Sequence, residues 1–253
     1  MAKVFLDAGH GGKDPGAVGQ GLQEKDIALS VTLKIGQVLK DHGVSVYYAR
    51  TTDVFLELSD RARMANNLNT DLFISIHCNA FNGSAKGVET YSYPGSTTGA
   101  RLASSIQNSI IADKVYTLNR GTKTANFAVL RETNMNAALV ETAFIDNAED
   151  ANILRNRQDD LAKAISKGIL SYLGIPYKET PSKLYRVQVG AYSVRANADN
   201  LVNELKSKGY DAFVVLINGL YKVQVGAYSV KDNADRLVNE LKSKGYDAFV
   251  VYY

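Results

Sequence analysis

One stretch of the chain occurs twice. Residues 184–215, LYRVQVGAYSVRANADNLVNELKSKGYDAFVV, recur at 220–251 with a period of 36, and 28 of the 32 positions are identical. The differences are Arg186/Lys222, Arg195/Lys231, Ala196/Asp232 and Asn200/Arg236. Each copy reads strand, helix, strand. Tyr185, Val187, Val189 and Ala191 alternate with Arg186, Gln188, Gly190 and Tyr192, the period of a half-buried strand. Ala198, Leu201, Val202 and Leu205 then recur at helical spacing, and Gly209 stands where a helix C-terminal glycine belongs. A single unit of this kind leaves a sheet face and both edges uncovered. Two in series predict one βαββαβ domain, a four-stranded sheet with both helices on one face.

The segment before the repeats, residues 175–183, holds two of the four prolines, Pro176 and Pro181, and reads as a semi-rigid linker. Residues 1–174 and 184–253 are therefore expected to be separate domains. Over 1–174, strand signals (Lys3–Asp7, Val44–Ala49, Leu72–His77, Ala138–Glu141) mix with helical ones (Lys25–His42, Ala100–Ile111, Asp159–Tyr172). That order predicts an α/β fold with a central, mostly parallel or mixed sheet flanked by helices.

Charge excludes some functions. The net charge of +3 is too balanced for a chain that neutralises a run of phosphates. It belongs wholly to the repeat side: residues 1–174 carry 18 basic and 18 acidic side chains, residues 175–253 carry 11 and 8. KGYDAFVV partly matches an RNA-binding strand signature, but its extra residue would exchange the faces of a period-2 strand. The glycine cluster from Gly9 to Gly16 fits neither phosphate-loop pattern. No nucleic-acid partner is expected. The start, MAKVFLDAGHGG, reads as neither signal peptide nor membrane span. The expectation is synthesis in the cytoplasm with no membrane insertion.

Three apolar strands in the first domain run into polar residues at their carboxyl ends: VFLDAGH at His10, LFISIH at His77 and ALVE at Glu141. Open α/β sheets place their sites there. Glu24, at the start of a helix, is a fourth candidate. Two His and one Glu suffice to hold zinc with a coordination position left open, and a further carboxylate can then move a proton. On this reading His10, Glu24 and His77 are metal ligands and Glu141 is the base. Structural alternatives stand beside each: a turn residue for His10, a satisfied buried histidine for His77, a favoured helix-start acid for Glu24, a buried ion pair for Glu141. His42, before Gly43, reads as a helix-end residue. Cys78 should alternate to the other sheet face as an inert thiol.

The segments VFLDAGHGGKDPGAVG, QEKD, ARTTDVFLELSDRARMANN, LFISIHCNA and LVETAFIDN resemble, in order, the zinc-dependent N-acetylmuramoyl-L-alanine amidases of type 3. The resemblance implies a Zn2+ cofactor on His10, Glu24 and His77, with Glu141 as the catalytic glutamate. It also implies peptidoglycan as substrate, cut between N-acetylmuramic acid and L-alanine of the stem peptide. A zinc peptidase cutting within the stem peptide is the alternative. The repeats resemble the SPOR domain, a ferredoxin-like βαββαβ module that binds glycan strands. The expected contacts are Gln188, Tyr192, Gln224 and Tyr228, on the sheet face opposite the helices. The whole arrangement is similar to sporulation autolysins and phage endolysins, which implies a lytic enzyme reaching the wall after lysis or holin-type release.

Overall fold

The computed structural model describes residues 1–116, 118–179, 184–228 and 231–252. The chain divides into two compact units, Met1–Lys178 and Glu179–Tyr253. Residues 180–183, with Pro181 of the expected linker, lie outside the described residues. Ile175 and Tyr177 pack on the first unit's core, and the Tyr177 ring stacks on His42 at 4.9 Å.

The first unit runs β1 (Lys3–Ala8), β2 (Val18–Gly19), β3 (Leu22–Gln23), α1 (Glu24–Asp41), β4 (Ser45–Tyr48), α2 (Leu58–Asn67) and β5 (Leu72–Asn79). It continues with β6 (Val88–Ser92), α3 (Thr97–Ala112), β7 (Asn119–Thr124), α4 (Ala128–Arg131), β8 (Asn136–Phe144), α5 (Ala148–Asn156) and α6 (Gln158–Tyr172). The six-stranded sheet has the order β4-β1-β5-β8-β6-β7. β4, β1, β5 and β8 are parallel, while β6 runs antiparallel to β8. One sheet face packs Val4, Leu6, Ile74 and Ile76 against Val31 and Ile35 of α1, Ile106 of α3 and Ile165 of α6. The other packs Phe5 and Phe73 with Ala65 of α2 and Val129 of α4. Central strands buried on both faces explain the continuous apolar runs in the sequence.

Topology selects the site. The chain leaves β1 towards β4 on one side, and β5 then returns to the other side of β1. Strand order reverses there, opening a crevice beyond the carboxyl ends of β1 and β5.

The second unit contains β9 (Tyr185–Tyr192), α7 (Arg195–Ser207), β10 (Ala212–Ile217), β11 (Leu220–Tyr228), α8 (Lys231–Ser243) and β12 (Phe249–Tyr252). Its sheet order is β10-β11-β9-β12, antiparallel throughout. Each repeat's second strand pairs with the other repeat's first strand. Val187, Val189, Val223 and Val225 form one core with Ala198, Val202 and Leu205 of α7 and Ala234, Val238 and Leu241 of α8. Among the described residues, no helix is long and apolar enough to cross a membrane.

Candidate metal centre

Glu24 opens α1, and the chain before it is folded by the short β2–β3 hairpin. Its carboxylate is buried and faces inward: Oε1 accepts from the Cys78 backbone N at 2.9 Å and Oε2 from Ala17 N at 2.8 Å. His77 Nδ1 lies 2.9 Å from the same Oε1, and His10 Nε2 lies 3.1 Å from it. The ligand atoms of His10, Glu24 and His77 all lie within 4.8 Å of one another. The three residues predicted from strand and helix ends therefore converge.

Two glycines make this approach sterically allowed. A Cβ on Gly9 would sit 2.6 Å from His77 Nε2, and one on Gly16 2.6 Å from both Glu24 Oε2 and His10 Cδ2. Gly16 also has a φ of +66°, a conformation few side chains accept. His10 itself takes the left-handed φ of 59°, and neighbouring charge holds it there. Arg61 Nη2 donates to the His10 carbonyl at 2.8 Å, and Arg61 Nη1 to the Ala8 carbonyl at 2.7 Å. Arg50 donates to the carbonyls of Ala8, Gly9 and Lys25. Asp14 Oδ2 accepts from His10 Nδ1 at 2.8 Å, which leaves Nε2 free to serve as a ligand. None of Asp14, Arg50 and Arg61 was singled out from sequence. Asp7 was the available signal: an acid inside an apolar strand demands a buried partner, and Arg61 Nη1 meets it at 2.8 Å.

Burial alone would lower the His10 imidazole. Hydrogen bonding and charge from Glu24, then from Asp14, reverse this and lift it to about 9. Burial opposes ionisation of Glu24, but hydrogen bonds from His10 and His77 hold its carboxyl far below the carboxylate range. The set is thus an anion between two imidazoles, the charge pattern a divalent cation replaces on binding. Donor identity and spacing fit zinc.

Glu141 stands beside His77, its partner across β5 and β8. Burial pushes its carboxyl up to about 7, against the pull of His77. Its Oε2 is buried with no hydrogen-bond partner. Across β6 its neighbour is Glu89. That carboxylate is buried too, but it accepts from Lys123 at 2.5 Å, Arg120 at 2.6 Å and Tyr91 at 2.7 Å, which together hold it low. Two adjacent carboxylates are so driven apart, one fixed as an anion and one poised near neutrality. A cavity of 270 Å³, walled by Phe55, Leu56 and Leu58, opens beside His10 and His77. Cys78 is buried with Sγ 3.3 Å from Thr142 Oγ1, and His42 caps the end of α1, as expected of both.

The second unit requires a correction. Gln188 and Gln224 lie on the face opposite the helices, but only 4% and 1% exposed. Tyr192 and Tyr228 leave that face and pack against the core under the helices. The cause is a pair of bulges: the β9–β11 register shifts between Val223 and Gln224 and again between Gln224 and Ala227. An extra residue inverts strand alternation, so a period-2 count through it gives the wrong face. The residues flanking the glutamines are Phe213 and Phe249, across β10 and β12, at 41% and 44% exposure.

Residues 4–171 match the family model described as N-acetylmuramoyl-L-alanine amidase, and residues 181–252 match the SPOR domain. The chain belongs to the N-acetylmuramoyl-L-alanine amidase family. It is 44% identical over 220 residues to the sporulation-specific N-acetylmuramoyl-L-alanine amidase of Bacillus subtilis, covering 85% of each chain. It is 42% identical over 185 residues to the endolysin of Bacillus phage SPP1, covering 69% of this chain and 67% of that one. The solved catalytic domain of CwlV, the amidase of Bacillus (Paenibacillus) polymyxa var. colistinus, matches with a TM-score of 0.66 at 35% identity, covering 70% of this chain and all of that one.

Proposed function

We propose that this chain is a lytic peptidoglycan hydrolase that cuts the amide between N-acetylmuramic acid and L-alanine, with His10, Glu24 and His77 holding zinc and Glu141 as general base. The observation that carries this reading is the convergence of two imidazoles and a carboxylate within 4.8 Å, beside a buried carboxyl poised near 7. Zinc, when bound, supplies Lewis acidity that polarises the carbonyl under attack and brings the pKa of water towards ~7. Glu141 takes the proton of the attacking water and returns it to the departing L-alanine amine. Its unpartnered Oε2 supports that role, since no protein donor competes for the lone pairs. Glu89, held as an anion by Lys123 and Arg120, keeps negative charge beside Glu141 and favours the protonated form needed for the second step.

Mass analysis of digested sacculi tests the reaction. The expected products are intact stem peptides with free L-alanine amino ends; stem peptides cut internally would replace the amidase with a zinc peptidase. The glycine cradle gives a second test. Gly9→Ala should weaken zinc binding about 10- to 100-fold in a competition titration against a chelator, because the His77 ring must move.

The second unit, on this reading, holds glycan strands on its open sheet face. The buried Gln188 Oε1 has no partner, and Gln188 and Gln224 lie between two exposed phenylalanine rings. Amide groups match sugar hydroxyls, and aromatic faces cover sugar rings. Phe213→Ala and Phe249→Ala in the full chain should each reduce retention on stem-free glycan about tenfold. Unchanged retention in the double variant would remove the face from the mechanism.

A further inference from the structure

We infer that the open face of the second unit accepts a glycan strand in either direction along the same row of residues; this rests on the glycan reading above. The row is Phe213–Gln224–Gln188–Phe249, one residue from each strand in spatial order. Every member has a copy 36 positions away: Phe213 with Phe249, Gln188 with Gln224. The register repeats the relation. Phe213 pairs with Gln224 as Phe249 pairs with Gln188, Val215 with Lys222 as Val251 with Arg186, and Leu216 with Tyr221 as Tyr252 with Tyr185. The central pair matches itself at its ends, since Tyr221 faces Tyr192 as Tyr228 faces Tyr185, and Lys222 faces Ala191 as Ala227 faces Arg186. At the bulges it departs, with Val223 facing Gly190, and with Gly226 but not its counterpart Gly190 at positive φ. A pseudo-two-fold axis therefore passes through the sheet between Gln188 and Gln224, perpendicular to it.

Rotation about that axis reverses the direction of any strand lying along the row and returns the same set of side chains. A glycan has chemically distinct ends, so its two placements on the face are different complexes. Their contacts are nevertheless the same wherever the repeats are identical. Beyond the 32-residue repeat, at the strand ends, Leu216 corresponds to Tyr252. Of the four positions that differ within the repeat, three lie on α7 and α8, which cover the other sheet face. The fourth, Arg186/Lys222, exchanges one cation for another. The row spans four adjacent strands, about 14 Å from Phe213 to Phe249 at ordinary strand spacing, so one short oligosaccharide can cover both halves. The floor is built rather than incidental: both glutamines are almost wholly buried, and Gln188 Oε1 has no hydrogen-bond partner in the protein.

The test uses the full chain and a stem-free glycan oligosaccharide carrying a nitroxide at its reducing end, which offers no amide to cleave. Because paramagnetic broadening falls steeply with distance, a tag held at one end of the row marks one phenylalanine and spares the other. The expected result is equal broadening of the Phe213 and Phe249 signals, with Gln188→Ala and Gln224→Ala weakening binding by the same factor. Broadening at one phenylalanine only, or unequal losses in the two variants, overturns direction-blind binding while leaving glycan binding standing. No change on the face with untagged oligosaccharide overturns the glycan reading itself, and this inference with it.

Discussion

Glu141→Gln should lose turnover on purified sacculi by about 10²- to 10⁴-fold, the usual contribution of a positioned acid–base, while its zinc content stays that of the parent. Glutamine keeps the shape and removes only the proton transfer, and Glu141 lies outside the three-residue cluster. Residual turnover within tenfold of the parent would remove Glu141 from the chemistry. The same substitution should change stability in a pH-dependent way. Glu141 is raised to about 7 in the fold, above its ordinary value of 4.5. An acid raised on folding costs nothing below the unfolded value; the cost grows as pH rises from about 4.5 and is complete above about 7. A shift of that size corresponds to about 3 kcal/mol. Metal-free Glu141→Gln should therefore melt higher than the metal-free parent at pH 8, with the gap closing towards pH 4.5. A constant gap across that range would mean that burial does not set the Glu141 carboxyl.

Arg61→Met should destabilise the first unit by about 3–5 kcal/mol, because it leaves Asp7 as a buried anion without its cation. Ser75 Oγ still donates to Asp7 at 2.7 Å but carries no charge. The variant also frees the His10 carbonyl and leaves that of Ala8 to Arg50 alone, so the loop that holds His10 at positive φ loses part of its clamp. Denaturant melts measure the first effect, and zinc titration of the folded fraction measures the second. Asp7→Asn combined with Arg61→Met removes the orphaned charge and should recover part of the stability but not the zinc affinity. Full recovery of both would show that the clamp is dispensable for the metal.

The convergence of His10, Glu24 and His77 was legible because strand ends in an α/β sheet converge for topological reasons, and only three histidines compete for the roles. Residues that act through the backbone were not. Arg61 sits in LSDRARMANN, a helix with no apolar stripe, whose inward face is Arg61, Ala62 and Ala65. β7, NRGTKT, is an edge strand polar on both faces and carries no periodic signal. Glu89 reads as an ordinary surface acid until β6 is seen to lie against β8. On the second unit, alternation found Gln188 and Gln224 but failed at Tyr192 and Tyr228. A bulge is invisible to a period-2 count, although Gly226 at φ +83° marks the place.

The crossed pairing of the repeats, β10 with β11 and β12 with β9, makes the second unit an internal dimer. Each half supplies the sheet neighbour that the other lacks, and the clasps are reciprocal: Tyr210 donates to Glu240 and Tyr246 to Glu204. Neither half owns a complete sheet, so loss of the chain beyond Asn218 would leave β9 and β10 with no strand between them. If the second unit holds glycan as proposed, a product shortened there should lose that binding outright rather than by half.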